Sequence, residues 1–143
     1  MERPVLPKRI PSGPVVGAQA SFSRTLTEAD VALFIGVTWD VNPLHTDDQY
    51  VKGTLFQRRI VPGLLTASLL THLGGLWAFL AQEVRLEFLA PVYIGDTVTA
   101  EARVEQVDAS RNWVSLDCRC VNGEGKEVLR AKIEGYPGRF REE

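Results

Sequence analysis

Residues 97–106 alternate without interruption. Val98, Ala100, Ala102 and Val104 fall on one side, and Thr99, Glu101, Arg103 and Glu105 on the other. A period of two marks a strand with one face buried and one in water. Residues 113–120 repeat the pattern, with Val114, Leu116, Cys118 and Cys120 opposite Trp113, Ser115, Asp117 and Arg119. Four strand-like runs result, over 83–92, 97–107, 113–121 and 127–135, and turn residues separate them at Gly95-Asp96, Asp108-Ala109-Ser110 and Asn122-Gly123-Glu124-Gly125.

The first half changes period. A short strand over 19–26 leads to Thr27-Glu28-Ala29-Asp30, which reads as a helix start with Thr27 as N-cap and acids in the first turn. Val31, Phe34 and Ile35 follow at helical spacing, and Gly36 or Asp40 marks the exit. Residues 47–52 add a helical turn that Gly53 ends. Ile60-Val61-Pro62-Gly63 then opens an apolar segment over 64–80, interrupted by Thr66, Ser68, Thr71 and His72. Leu64, Leu65, Leu69, Leu70, Leu73, Leu76, Trp77 and Leu80 surround such a helix on almost all sides, which predicts a long buried one. The expected fold class is α+β: a meander of antiparallel strands curved around one long buried helix, in a single domain over residues 19–143. Residues 1–18, with Pro4, Pro7, Pro11, Pro14, Gly13 and Gly17, form an N-terminal arm or lead-in strand.

Composition narrows the functions. A chain of 143 residues suits one domain with a real core, and 45% apolar with 24% charged residues is ordinary for a globular protein. A net charge of −2 provides no basic face for nucleic acid. The apolar segment is interrupted and falls short of the roughly 20 residues of a membrane span. The start of the chain carries no apolar h-region, so no secretory signal is read and a cytoplasmic location is the expectation. Cys118 and Cys120 lie one residue apart on one strand face, a poor geometry for a disulfide and a poor spacing for zinc, so both are read as structural thiols.

The candidate chemistry lies in Asp40-Val41-Asn42-Pro43-Leu44-His45. Asn-Pro favours a turn, and a sharp bend in a loop there would bring Asp40 and His45 towards a common point. A carboxylate and an imidazole so placed can take a proton from water and return one to carbon. The same residue types also make an ordinary turn, so the motif carries weight only in context.

That context resembles the MaoC-like family, the (R)-specific enoyl-thioester hydratases and dehydratases of the hotdog fold. The resemblance runs from about residue 34 to 102, roughly half the chain, in three blocks. These are Asp40 to His45 followed by Asp47-Asp48; Arg59-Ile60-Val61-Pro62-Gly63-Leu64-Leu65; and Phe88-Leu89-Ala90-Pro91-Val92-Tyr93-Ile94-Gly95-Asp96-Thr97-Val98. One departure is Pro62, where the family often carries histidine; it bears on the substrate more than on the reaction. The resemblance implies that Asp40 and His45 are the catalytic pair, that Asn42 helps to hold the reactive water, and that Gly63 offers its backbone N–H to the thioester oxygen. A helix N-terminus has free N–H groups, and glycine leaves room for a carbonyl. Thr71, two turns beyond Gly63, matches a position where relatives carry a hydroxyl near the aspartate, although bonding to its own backbone is the usual fate of such a group. His72 is read as a core or interface residue.

The resemblance implies reversible hydration of trans-2-enoyl-CoA to (R)-3-hydroxyacyl-CoA by a homodimer, with no cofactor and no metal. Two alternatives stand beside it: a 3-hydroxyacyl-carrier-protein dehydratase, for which Arg58-Arg59 is a candidate docking patch, and a non-catalytic acyl-thioester-binding hotdog subunit. A hotdog thioesterase lacks its usual nucleophile or base arrangement here. Serine hydrolysis and nucleotide binding have no motif in the chain.

Overall fold

The computed structural model describes residues 14–138. Residues 1–13 of the expected arm lie outside the described residues. The rest of the arm turns at Gly17, which holds φ +86°, and the Gly17 N–H donates to Val104 O at 2.9 Å. The chain then runs β1 (Gln19–Thr25), α1 (Glu28–Thr38), α2 (Pro43–Thr46), α3 (Asp48–Lys52), α4 (Gly63–Ser68), α5 (Leu70–Leu76), β2 (Leu80–Phe88), β3 (Thr97–Asp108), β4 (Trp113–Val121) and β5 (Glu127–Tyr136).

One antiparallel sheet of five strands has the order β1-β3-β4-β5-β2. Only β3, β4 and β5 form the expected meander; β2 crosses to the far edge and pairs with β5. Register shifts leave Gln82, Glu105 and Val128 without a cross-strand partner. Such bulges bend a strand and increase its twist, which lets the sheet wrap a helix.

Val98, Ala100, Ala102 and Val104 of β3 and Val114, Leu116, Cys118 and Cys120 of β4 are all buried, on the faces that alternation assigned to them. Leu69, Leu70, Leu73 and Trp77 pack against them in one core cluster. Each such side chain contributes roughly 1.5–3 kcal/mol on burial. That packing sustains α4 and α5, since helices so short are marginal alone.

The expected long helix is two short ones joined at Leu69. Leu69 keeps helical angles, φ −61° and ψ −27°, but the Leu69 N–H reaches Thr66 O and the His72 N–H reaches Leu69 O, three residues back instead of four. The rod is therefore tightened midway. It also stops early: Ala78, at φ +48°, turns the chain, and Leu80 opens β2. Nor is the rod buried all round, because Leu64 is 59% exposed. β2 ends at Phe88, short of the expected 92, where the Leu89 and Ala90 N–H groups both turn to Val128 O at the bulge of β5; Pro91 beyond them has no N–H to resume the ladder. Cys118 and Cys120 are free and buried. Burial pushes their thiols up to about 12 and about 11, so neither is a ready nucleophile.

Candidate active site

The chain leaves α1 through Trp39, a C-cap at φ 56° and ψ 26° whose N–H donates to Ile35 O. This left-handed step is uncommon for a residue with a Cβ, and it places the functional segment directly after the helix. Thr38 Oγ1 accepts from the Asp40 N–H at 3.2 Å, and Asp40 Oδ1 accepts from the Asn42 N–H at 3.3 Å. Asp40 Oδ2 is left on the side of His45, on a side chain that is 42% exposed.

The expected loop is in fact a helix start. Asn42 is the N-cap of α2, its Oδ1 accepting from the Leu44 N–H at 3.0 Å, and Pro43 takes the first helical position. Proline is preorganised for that place, because the missing N–H would have had no intrahelical acceptor. The turn points His45 into the protein, where it is 8% exposed. His45 Nδ1 lies 2.7 Å from Ile60 O. A carbonyl only accepts, so Nδ1 carries a proton and any proton traffic passes through Nε2. His45 Nε2 faces Asp40 Oδ2 at 3.9 Å. That is too long for a direct hydrogen bond.

Arg59 locks this arrangement. It pairs with Glu28 of α1 and, at 2.8 Å, with Asp48 of α3, while Nη1 donates to His45 O at 3.3 Å. The hydrogen bonds to Glu28 and Asp48 hold its guanidinium pKa above the ordinary value. Asp47 is likewise occupied, capping α3 by accepting from the Gln49 and Tyr50 N–H groups. The structure thus divides the proposed docking patch: Arg59 is an internal clamp, whereas Arg58 lies over the Tyr93 ring, 4.1 Å from its centroid.

Asp40 and His45 open onto a cleft of about 540 Å³ whose walls include Gly63, Thr66, Phe34, Phe56 and Phe88. Gly63 is the first residue of α4, and its N-cap, Pro62, supplies no side-chain bond. Its N–H has no acceptor within the helix. With only six residues in α4 the dipole is slight, and the N–H group itself is what the position offers. A Cβ on Gly63 would stand 2.7 Å from Phe88 Cε1. The fold thus brings Asp40, His45 and Gly63 to one cleft, but neither Asn42, which is exposed and caps α2 beside it, nor Thr71. Thr71 is exposed, and its hydroxyl donates to Ser68 O at 2.7 Å. The threonine that does line the cleft is Thr66, visible in the sequence only as one of several polar interruptions of the apolar run. His72 stacks on Phe22, with ring centroids 4.2 Å apart, away from the cleft. Among the described residues no cluster of three or more His, Cys, Asp or Glu side chains could hold a metal, and no helix is long and apolar enough to cross a membrane.

An antiparallel sheet wrapped around a central helical rod, with a facing carboxylate and imidazole beside the rod's first turn, defines a hotdog protein. The model of the MaoC like domain matches residues 13–119, and the chain belongs to that family. It is 36% identical over 121 residues to an (R)-specific enoyl-CoA hydratase of Rhodospirillum rubrum, covering 81% of this chain and 83% of that protein. A 3-hydroxyacyl-[acyl-carrier-protein] dehydratase of Solanum lycopersicum is 32% identical, covering 80% of this chain and 72% of that protein. The solved (R)-hydratase of A. caviae superposes with a TM-score of 0.83 at 31% identity, covering 87% of this chain and 97% of that one.

Proposed function

We propose that this protein is a hydro-lyase that reversibly adds water to trans-2-enoyl-CoA and forms (R)-3-hydroxyacyl-CoA. The observation that carries the reading is the 3.9 Å separation of Asp40 Oδ2 and His45 Nε2 across an apolar cleft. A water about 2.8 Å from each, an ordinary hydrogen-bond length, would bridge that gap. In the hydration direction Asp40 takes a proton from this water as its oxygen bonds to C3. The C2=C3 electron pair moves towards the thioester oxygen as an enolate. His45, charged at that instant, then gives its Nε2 proton to C2, and the proton taken by Asp40 passes back to His45. Asn42, exposed and with its oxygen committed to capping, acts by holding the turn that presents His45. Gly63 offers its N–H to the enolate oxygen. Thr71 has no place in this scheme within one subunit. No metal or cofactor enters it.

Incubation with crotonyl-CoA and chiral analysis of the product is expected to yield (R)-3-hydroxybutyryl-CoA. Absence of hydration, or an (S) product, would refute the reading. A carrier-protein substrate is the second reading, favoured by the resemblance to the Solanum lycopersicum dehydratase and by Arg58, whose charge is left outside the Arg59 clamp. Parallel assays on crotonyl-CoA and crotonyl-carrier protein separate the two.

A homodimer and a cytoplasmic location belong to the same proposal. β2 is an edge strand, and Leu80, Val84 and Phe88 on it are exposed, as is Leu64. An open edge rich in apolar side chains invites pairing. Two copies joined along β2 would cover it. Sedimentation at micromolar concentration is expected to give a dimer; a fully active monomer would overturn this part.

A further inference from the structure

Thr66 is 2% exposed, and its Oγ1 has no hydrogen-bond partner. A buried hydroxyl without a partner is destabilising and calls for an explanation. Of the four residues with a buried, unpaired side-chain polar atom among the described residues, Thr66 is the one that lines the catalytic cleft; His72, Trp77 and Ser115 lie elsewhere. The usual acceptor for a helical threonine is the carbonyl four residues back. Here that is Pro62 O, which already accepts the N–H groups of Leu65 at 3.0 Å and Thr66 at 3.3 Å. The Thr66 hydroxyl takes neither this carbonyl nor the one three residues back, the choice that Ser68 and Thr71 make in the same rod. Thr66 also stands three residues after Gly63, on the same helix face, and side chains on a helix lean back towards its N-terminus. The hydroxyl is thereby directed over the turn that begins with the Gly63 N–H.

We infer that Thr66 Oγ–H is a second hydrogen-bond donor to the thioester carbonyl oxygen, acting beside the Gly63 N–H. The inference rests on the hydratase reading and adds a side-chain donor to it. The hydroxyl is unpaired in the free protein because its acceptor arrives with the substrate, and it gains most when charge builds on that oxygen.

Thr66→Val keeps the shape and removes the donor. Because nothing in the free protein bonds to that hydroxyl, the variant is expected to melt at or above the wild-type temperature. Its kcat on crotonyl-CoA is expected to fall by about 100-fold, as when one donor of an oxyanion hole is lost. Thr66→Ser should restore most of the rate. Wild-type kcat in Thr66→Val, or a loss of rate matched by a loss of stability, would overturn the inference. A second measurement does not depend on turnover. Butyryl-CoA has the carbonyl but no double bond to hydrate, and Raman difference spectra report its bound C=O stretch. A shift to lower frequency in wild type that shrinks in Thr66→Val and returns in Thr66→Ser supports the second donor, even if crotonyl-CoA proves not to be hydrated and the hydratase reading fails. Equal stretches in wild type and Thr66→Val, or no shift in wild type, would refute it.

Discussion

Asp40→Asn is expected to fold and melt as the wild type does, yet to lose at least about 100-fold in kcat on crotonyl-CoA. An asparagine keeps an oxygen for the Asn42 N–H, so the local turn survives. What it loses is the proton acceptor opposite His45 Nε2. General acid–base groups typically contribute 10²–10⁴-fold, which sets the expected range. His45 needs a gentler substitution than alanine. Removing the ring would leave Ile60 O without its partner in a buried place, at about 1–3 kcal/mol. His45→Asn retains an N–H able to reach that carbonyl and should lose a similar factor in rate with less damage to stability. The double variant Asp40→Asn, His45→Asn should be little worse than either single one, because both residues act on one water. Near-wild-type hydration by Asp40→Asn would end the proposed mechanism, whatever the fate of the fold.

Gly63→Val is expected to lose about 10²–10³-fold in kcat, the range for an oxyanion-hole donor. Its kcat and kcat/KM should fall together, as for an interaction made only in the transition state. The structure adds a competing cause. A Cβ at Gly63 meets the Phe88 ring at 2.7 Å, so part of any effect could be steric. Pairing Gly63→Ala with Phe88→Ala separates the two. If the glycine exists only to admit Phe88, then Gly63→Ala made in the Phe88→Ala background should leave kcat as it is in Phe88→Ala alone. If it leaves room for the thioester carbonyl, the added methyl should still depress kcat while melting stays within about 1 kcal/mol of Phe88→Ala, a typical point-mutation cost. Unchanged kcat in Gly63→Val itself would assign the glycine a purely structural place.

Some features of this protein were legible residue by residue. β3 starts at Thr97 and β4 spans Trp113–Val121 as expected, because alternation with one wet face allows only one register of burial. The Thr27 cap was equally plain, and the structure completes it as a reciprocal pair with Asp30. Asp40 and His45 could be paired from the motif because both lie within one short turn, where local geometry sets the distance.

Tertiary structure decided the rest. The run over 64–80 holds a tightened rod, a reversal and the start of a strand, and an apolar run by itself has no period to separate them. The place of β2 beside β5 depends on which sheet edge was open, a relation between distant segments. The division of Arg58 from Arg59 was set by carboxylates on α1 and α3, and the proton on His45 Nδ1 by a carbonyl fifteen residues along the chain. Thr66 and Thr71 are alike in sequence, each a threonine in an apolar helix. They differ because the rod presents one to the cleft and the other to solvent, and a side chain's chemistry follows from what its face of the helix meets.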